Sequence, residues 1–138
     1  MKNLLLSILL LSSLSFSKEY NFDNLLELNG LWTKKFSTEI ANGKVYKMYG
    51  VNKVYIGQIR NGKMNGEWTD WYESGKKKSE EKYNDGERIG EWKTWGENGQ
   101  KWKEMTYKDG ELDGRWTSWH SNGQKYSEET WKDGKEIE

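Results

Sequence analysis

The 138-residue chain contains no cysteine and no proline. Without cysteine it has no disulfide scaffold, no cysteine-ligated zinc or iron–sulfur site, no thiol nucleophile and no cysteine for lipid attachment. Without proline it has no proline-rich linker and no collagen-like repeat. An excess of charge of one sign is also missing, because 22 Lys and Arg residues balance 22 Asp and Glu residues. Net charge therefore does not mark the chain as a nucleic-acid-binding protein.

Aromatic residues and glycine, in contrast, are abundant. The chain has 9 Trp, 8 Tyr and 15 Gly, and aromatic residues make up 14% of it. Disordered chains are poor in aromatic residues, so the low mean hydropathy does not indicate disorder here. The composition predicts a fold whose apolar contacts come from Trp and Tyr rather than from Leu, Ile and Val.

The first 17 residues have the form of a secretory signal peptide. Lys2 gives a positive start, an apolar run broken only by serine follows at 4–14, and the Ser-Phe-Ser sequence at 15–17 offers a small-x-small cleavage pattern. The run is shorter than the about 20 residues that a membrane-spanning helix needs. We therefore expect export to the periplasm or the cell exterior, with an uncleaved anchor as the alternative.

The rest of the chain carries a sequence repeat with a period of 24 residues. Three copies of G-x-W-x-x-W begin at Gly66, Gly90 and Gly114, and they define the units 66–89, 90–113 and 114–138. A repeat of this length is one supersecondary unit that stacks on its neighbours to bury its apolar face. Glycines that end two sets of turns recur at the same spacing: Gly75, Gly86, Gly99, Gly110, Gly123 and Gly134.

The turns predict the structure of each unit. Asn98-Gly99 represents one set and Asp109-Gly110 the other, and both kinds of pair suit two-residue type I′ hairpin turns. Two strands and two such turns account for the whole period. The predicted fold is all-β: an elongated, mostly single-layer antiparallel meander, or solenoid, of β-hairpin repeats. The glycine that opens each motif lies inside the longer strand and predicts a bulge there.

Residues 30–65 are interpreted as one or two divergent units. They contain an Asn-Gly pair at 61–62 and strand-like runs at 45–49 and 54–59. Such divergence is typical of the terminal unit of a repeat array. Residues 18–29 are expected to form an N-terminal cap, in which a short helix is one option.

The two tryptophans of each motif are three residues apart. Side chains alternate along a strand, so the two lie on opposite faces of the sheet unless a bulge intervenes. Stacked hairpins then form two columns of rings, and an open aromatic patch usually marks an interaction surface. Structural packing is the alternative role for each ring, and the sequence does not decide which column is open. The candidate binding surface consists of Trp68, Trp71, Tyr72, Trp92, Trp95, Trp116 and Trp119.

The sequence offers no candidate catalytic, cofactor-binding or metal-binding residue. His120 is the only histidine, and no cysteine accompanies it to complete a transition-metal site. An enzyme needs a convergent cluster of titratable groups in a pocket, whereas Lys and Glu are spread along every predicted strand. The basic run at 76–78 is followed at once by two glutamates, so we expect a solvated face there rather than a lipid site. We therefore expect a non-enzymatic protein without cofactors.

The repeat resembles the bacterial variant of the MORN repeat family. The segment from Gly90 to Gly114 fits the pattern G-x-W-x-x-(aromatic)-x-x-N-G-x-(K/L)-x-x-E-x-x-Y-K-D-G-x-x-x-G. The resemblance is strong over 66–138 and loose over 30–65. It implies a β-hairpin solenoid that associates with proteins or membranes, and it supplies no catalytic residues. Similar bacterial proteins include antitoxin-labelled proteins of the YwqK type.

Together these observations predict an exported protein whose work is association. The expected partner is another protein, bound by the aromatic surface or by a sheet edge such as the predicted strand 125–132, and edge strands also permit self-association. One alternative is a module that binds a cell-wall glycan or a lipid surface, because exposed rings stack on sugars and quaternary amines. A further alternative is the antitoxin of a toxin–antitoxin system. Nucleic acid is not an expected partner.

Overall fold

The computed structural model describes residues 18–137, so the expected signal peptide at 1–17 lies outside the described residues. This part of the chain is almost entirely β-structure, with a single turn of 3₁₀ helix at Phe22–Asn24. It contains no helix that is long and apolar enough to cross a membrane. The strands are β1 (Glu19–Asn21), β2 (Leu25–Leu28), β3 (Leu31–Lys34), β4 (Gly43–Tyr49), β5 (Asn52–Arg60), β6 (Lys63–Trp71), β7 (Lys77–Asn84), β8 (Glu87–Arg88), β9 (Gly90–Trp95), β10 (Lys101–Lys108), β11 (Glu111–Trp119), β12 (Lys125–Lys132) and β13 (Lys135–Ile137).

Eleven of these strands form one sheet in the order β1-β4-β5-β6-β7-β9-β10-β11-β12-β13, with β8 attached to β7. From β4 to β13 every pair is antiparallel, whereas β1 lies parallel to β4. Strands β2 and β3 form a separate antiparallel pair. The order follows the chain from hairpin to hairpin, so the predicted all-β meander of hairpin repeats is confirmed.

The Asp-Gly turns have the predicted type I′ geometry. At Asp109 and Gly110 the φ angles are 49° and 86°, which are left-handed values at both central positions. The amide of Gly110 also donates a hydrogen bond of 2.9 Å to the carbonyl of Arg88. That carbonyl belongs to the preceding repeat, so the turn ties one unit to the next. The same geometry recurs at Asn61-Gly62, Asp85-Gly86 and Asp133-Gly134.

The other set of turns, represented by Asn98-Gly99, differs from the predicted two-residue form. Only the glycine has a positive φ, 85° at Gly99, and its amide donates to the carbonyl of Gly96 at 2.8 Å. The amide of Gly96 in turn donates to the carbonyl of Gln100 at 2.8 Å, which closes a three-residue loop with a bulge at the glycine. The Asn98 side chain accepts a hydrogen bond from the Gln100 amide at 3.1 Å, so asparagine supports this loop from an ordinary backbone conformation.

The glycine inside the longer strand has a positive φ in all three repeats, and the register shows the predicted bulge at Gly114. The φ angle is 76° at Gly66, 66° at Gly90 and 124° at Gly114. At Gly114 the register jumps from the pair Met105–Trp116 to the pair Tyr107–Leu112, so β11 carries the extra residues.

The two tryptophan columns lie on opposite faces of the sheet. In β6 the register runs without interruption from Trp68 to Trp71, because the extra residue at that level belongs to β7. Side chains therefore keep alternating between the faces. We call the face that bears Trp68, Trp92 and Trp116 the ring face, and the face that bears Trp71, Trp95 and Trp119 the ladder face.

The aliphatic core lies at the N-terminal end, upstream of the three strong repeats. Residues 18–29 form β1, the 3₁₀ turn and β2, and no α-helix is present in this described segment. The β2–β3 pair packs on the main sheet as a small second layer, which the sequence did not predict. The buried cluster consists of Tyr20, Leu25, Ala41, Val45, Ile56, Ile59 and Trp68.

Candidate binding groove on the ring face

A series of aromatic rings runs across the strands of the ring face. Trp68 and Trp92 are 5% and 7% exposed, and their neighbours meet them in the edge-on or tilted geometries that favour aromatic pairs. This column holds the sheet together rather than remaining open. The ring centroids are separated by 6.4 Å for Phe22–Trp68, 6.5 Å for Trp68–Tyr83, 4.9 Å for Tyr83–Trp92, 5.0 Å for Trp92–Tyr107 and 5.7 Å for Trp116–Trp131.

The tyrosine between two of these indoles is uncharged. Burial raises the pKa of Tyr83, and the nearby carboxylate of Glu81 raises it further while accepting a hydrogen bond from the hydroxyl at 2.9 Å. A phenolate here would lose solvation and be repelled by the carboxylate. The ring series is therefore an uncharged, apolar layer on this face of the sheet.

The ladder face is covered by its own lysines. The ammonium of Lys77 lies 5.7 Å from the ring centre of Trp71 and 5.5 Å from that of Trp95, and Lys101 lies 5.3 Å from that of Trp119. Such contacts are typical cation–π interactions. Each of these lysines, and the equivalent lysine of the third repeat, also pairs with a glutamate three residues later, so its charge is neutralised within the chain. The pairs are Lys77–Glu80, Lys101–Glu104 and Lys125–Glu128.

Trp102 projects onto the ring face from a bulge that the sequence did not predict. The β9–β10 register skips this residue between its two neighbours. Its indole occupies the space beside Gly96, where an added Cβ would lie 2.7 Å from Nε1. The side chain is 47% exposed, so Gly96 makes room for an indole that is seated on the strand and open to solvent.

Tyr126 takes the same position one repeat later and is 70% exposed. A shift in the β11–β12 register produces the bulge, and the ring meets His120 edge-on with centroids 4.9 Å apart. Strands β10 and β12 are two steps apart in the sheet, so the positions of Trp102 and Tyr126 recur at about 9.6 Å. In the first repeat Lys78 occupies this position.

These rings border one groove. Two cavities of about 470 Å³ and 540 Å³ share Trp102 and Lys103 as a common wall. Together they run along the ring face, and we call them the ring-face groove. Among the residues that line the first cavity are Phe22, Ile56, Trp68 and Tyr72, and among those that line the second are Trp116, Ser118, His120 and Tyr126.

Asp70 is held in the groove wall by three partners. The ammonium groups of Lys47 and Lys78 each lie 3.4 Å from its carboxylate, and the Tyr49 hydroxyl donates to it at 2.6 Å. Burial opposes ionisation, but the Tyr49 hydrogen bond and the two lysines outweigh it and lower the pKa of Asp70. Burial, together with the hydrogen bond to this carboxylate, raises the pKa of Tyr49 to about 12.

The charges that line the groove cancel. Three lysines face three carboxylates, so the lining has no excess of either sign. Within residues 18–137, no group of three or more His, Cys, Asp or Glu side chains is arranged to hold a metal ion. The charged residues are Lys47, Lys78, Lys103, Asp70, Glu81 and Glu129.

The seven residues of the candidate binding surface are divided between the two faces. Trp68, Tyr72 and Trp116 line the groove, and Trp92 is buried in the ring series. The other three, Trp71, Trp95 and Trp119, belong to the ladder face. Trp95 and Trp119 also contribute to the lining of the first and the second cavity, respectively.

The two most open groove rings, Trp102 and Tyr126, were not among the candidates. The signal for them was in the repeat alignment, where both replace the lysine at 78. An apolar ring at a position that another repeat fills with lysine indicates a solvated site.

The repeats match a known family. The model of the MORN repeat variant matches residues 64–85, 88–109 and 112–133, which start 24 residues apart. No curated protein and no solved structure matches the chain. The matched segments run from β6 to the turn that follows β12, and each begins two residues before a G-x-W motif. The chain thus carries three consecutive MORN-variant repeats and belongs to that family.

Proposed function

We propose that this protein is a non-catalytic binding protein that associates with a component of the cell envelope through the ring-face groove. The exposure of Trp102 and Tyr126 carries the proposal. Most rings of the sheet are packed against neighbours, whereas these two are 47% and 70% exposed at the side of a groove. Open aromatic side chains in such a position are typical of interaction sites.

Two further observations support this function. The repeat family is generally non-enzymatic and often binds proteins or membranes, and the signal-like sequence at 1–17 favours an envelope location. The sequence leaves three classes of partner open: another protein, a glycan and a lipid surface.

The test is retention of the protein in the envelope fraction of cells that express the full chain. Replacing both rings, Trp102→Ala with Tyr126→Ala, is expected to release the protein into the soluble fraction. The matched control is Phe36→Ala, because Phe36 is a fully exposed ring that does not line the groove. Circular dichroism verifies that each variant keeps its β-structure. Equal retention of the wild type and the double variant would contradict the proposal.

Site-specific photocrosslinking maps the contact. A photoreactive phenylalanine analogue at position 126 is expected to yield an envelope adduct. The same analogue at Glu91, an exposed ladder-face residue that does not line the groove, is expected to yield none. Adducts from Glu91 but not from position 126 would place the contact on the wrong face for this function.

A further inference from the structure

We propose that the ring-face groove binds a neutral β-linked glycan chain, with Trp102 and Tyr126 stacking on two sugars that are one disaccharide apart. This inference rests on the proposed function and names the chemical class of its ligand. Three features of the groove favour such a ligand: the spacing of its open rings, the balance of its charges and the hydrogen-bonded backbone beneath it.

The spacing of the rings suits a periodic ligand. Trp102 and Tyr126 occupy equivalent bulges two strands apart, so their positions repeat at about 9.6 Å. In a β-1,4-linked chain every second sugar presents the same face, and this spacing is close to the length of one disaccharide. Two stacked sugar units therefore fit the two rings without bending the chain.

The charge balance of the groove suits an uncharged ligand with many hydroxyl groups. Three lysines and three carboxylates line the groove, so a charged ligand gains no net attraction. The same side chains supply both donors and acceptors beside the rings. Ser118 and Ser127 add a pair of hydroxyl groups 2.6 Å apart at the second cavity. Sugar hydroxyls both donate and accept, so this mixed lining matches them.

The backbone beneath the rings disfavours an extended peptide. Strands β10 and β11 are each paired on both sides, so their amides and carbonyls are already hydrogen-bonded. Strand β12 is paired with β11 on its inner side and with β13 only over its last three residues, so a strand could add only at that outer edge and not on the face. A peptide laid on this face could not add as a strand and would have to find side-chain partners for its own amides. A glycan has no amide backbone to satisfy, and the apolar faces of its rings contact Trp and Tyr directly.

The test is titration of the full-length mature protein with cellohexaose and chitohexaose, followed by calorimetry and tryptophan fluorescence. At least one hexasaccharide is expected to bind about tenfold more tightly than its disaccharide, because it reaches both rings. Tyr126→Ala and Trp102→Ala are each expected to weaken hexasaccharide binding by about tenfold. Tyr126→Ala is expected to disturb the fold less than Trp102→Ala, since the Tyr126 ring is the more exposed of the two. Phe36→Ala is expected to leave binding unchanged.

A substitution that adds a third ring in line with Trp102 and Tyr126 is expected to strengthen binding. Lys78 stands where Trp102 and Tyr126 stand in the later repeats, and its ammonium lies 5.9 Å from the ring centre of Tyr72. The variant Lys78→Tyr is expected to strengthen hexasaccharide binding several-fold and to leave disaccharide binding unchanged. A nonspecific hydrophobic effect of the new ring would strengthen the binding of both the hexasaccharide and the disaccharide. That result would contradict the periodic stacking.

The outcomes separate this inference from the function on which it rests. If neither hexasaccharide binds at millimolar concentration while the double ring variant is still released from envelopes, the glycan inference is wrong and the proposed function stands. Release of the wild type after protease treatment of the envelopes would then identify a protein partner. If the double variant is retained like the wild type, the proposed function itself is wrong.

Discussion

Tryptophan has three different roles in this protein, and the contacts of each indole decide which one it has. Trp92 is buried and donates from Nε1 to the carbonyl of Lys82 at 3.1 Å. Trp116 has a buried Nε1 with no hydrogen-bond partner. Trp102 is half exposed at the groove. The same side chain is thus a hydrogen-bonded anchor, a purely apolar spacer or an open ring.

A pair of matched substitutions separates the first two roles. Trp92→Phe removes a buried hydrogen bond to the Lys82 carbonyl, which keeps only the Ile89 amide as a donor, whereas Trp116→Phe removes an N–H group that has no partner. We expect Trp92→Phe to lower the free energy of unfolding by about 1 kcal/mol more than Trp116→Phe does. Urea unfolding of both variants measures this difference, and equal losses would show that the hydrogen bond contributes nothing.

Asp70 makes stability depend on pH. Its pKa in the folded state lies below the ordinary value of 3.8, so the unfolded chain takes up the proton first as the pH falls. The stabilisation from Asp70 is therefore complete above about pH 5 and is lost as the pH falls through 3.8 and below. Asp70→Asn is expected to cost about 1 kcal/mol at pH 7 and much less at pH 3.

Thermal unfolding at both pH values checks this expectation. Asp109→Asn is the control, because Asp109 lies in an exposed turn and an Asn-Gly pair forms the same turn at 61–62. A loss for Asp70→Asn that is as large at pH 3 as at pH 7 would mean that packing, and not ionisation, explains the effect.

At the scale of the element, the hairpin turns set the register of each repeat. Gly110 has a φ of 86°, which strains any residue that carries a Cβ. Gly110→Ala is therefore expected to lower the free energy of unfolding by about 1–2 kcal/mol. Ser74→Ala, in a loop where only Gly75 has a positive φ, is expected to change it by less than about 0.5 kcal/mol. Chemical denaturation compares the two, and a tolerated Gly110→Ala would show that the Asp-Gly turn is not needed.

The elements also show how far the sequence alone predicts this structure. Asp109-Gly110 predicts its turn because few residue pairs accept two left-handed positions, and Gly114 predicts its bulge for a similar reason. The bulge at Trp102 carries no such mark, because ordinary residues adopt it. Its position depends on the three-residue loop at 97–99. The Asn-Gly pair in that loop predicts a two-residue turn instead. The groove depends on that bulge, so the sequence did not predict Trp102 and Tyr126 as its most open rings.

At the scale of the whole molecule, burial falls from the N-terminal unit to the last described strand. Val45 and Ile59 are completely buried, whereas every residue of β13 is exposed. Repeat arrays open locally where each unit contacts few neighbours. We expect amide hydrogen exchange to be slowest in β4 and β5 and fastest in β12 and β13.

A core substitution tests whether this gradient reflects independent opening. Val45→Ala is expected to speed exchange in β4 to β6, because it leaves a cavity beside the aliphatic cluster that costs about 2 kcal/mol. Exchange in β12 and β13 is expected to stay as in the wild type. A uniform acceleration along the chain would mean that the sheet opens as one cooperative unit.

At the same scale, we propose that the protein is exported and cleaved between Ser17 and Lys18, a cut that spares the first strand of the sheet. Strand β1 begins at Glu19, and the Tyr20 hydroxyl donates to the Glu39 carboxylate at 2.9 Å. Cleavage after Ser17 leaves this strand whole, whereas a cut a few residues later would remove it from the sheet. N-terminal sequencing of the protein from periplasm or medium is expected to start at Lys18. Unprocessed protein in the cytoplasm would contradict export and favour the antitoxin alternative.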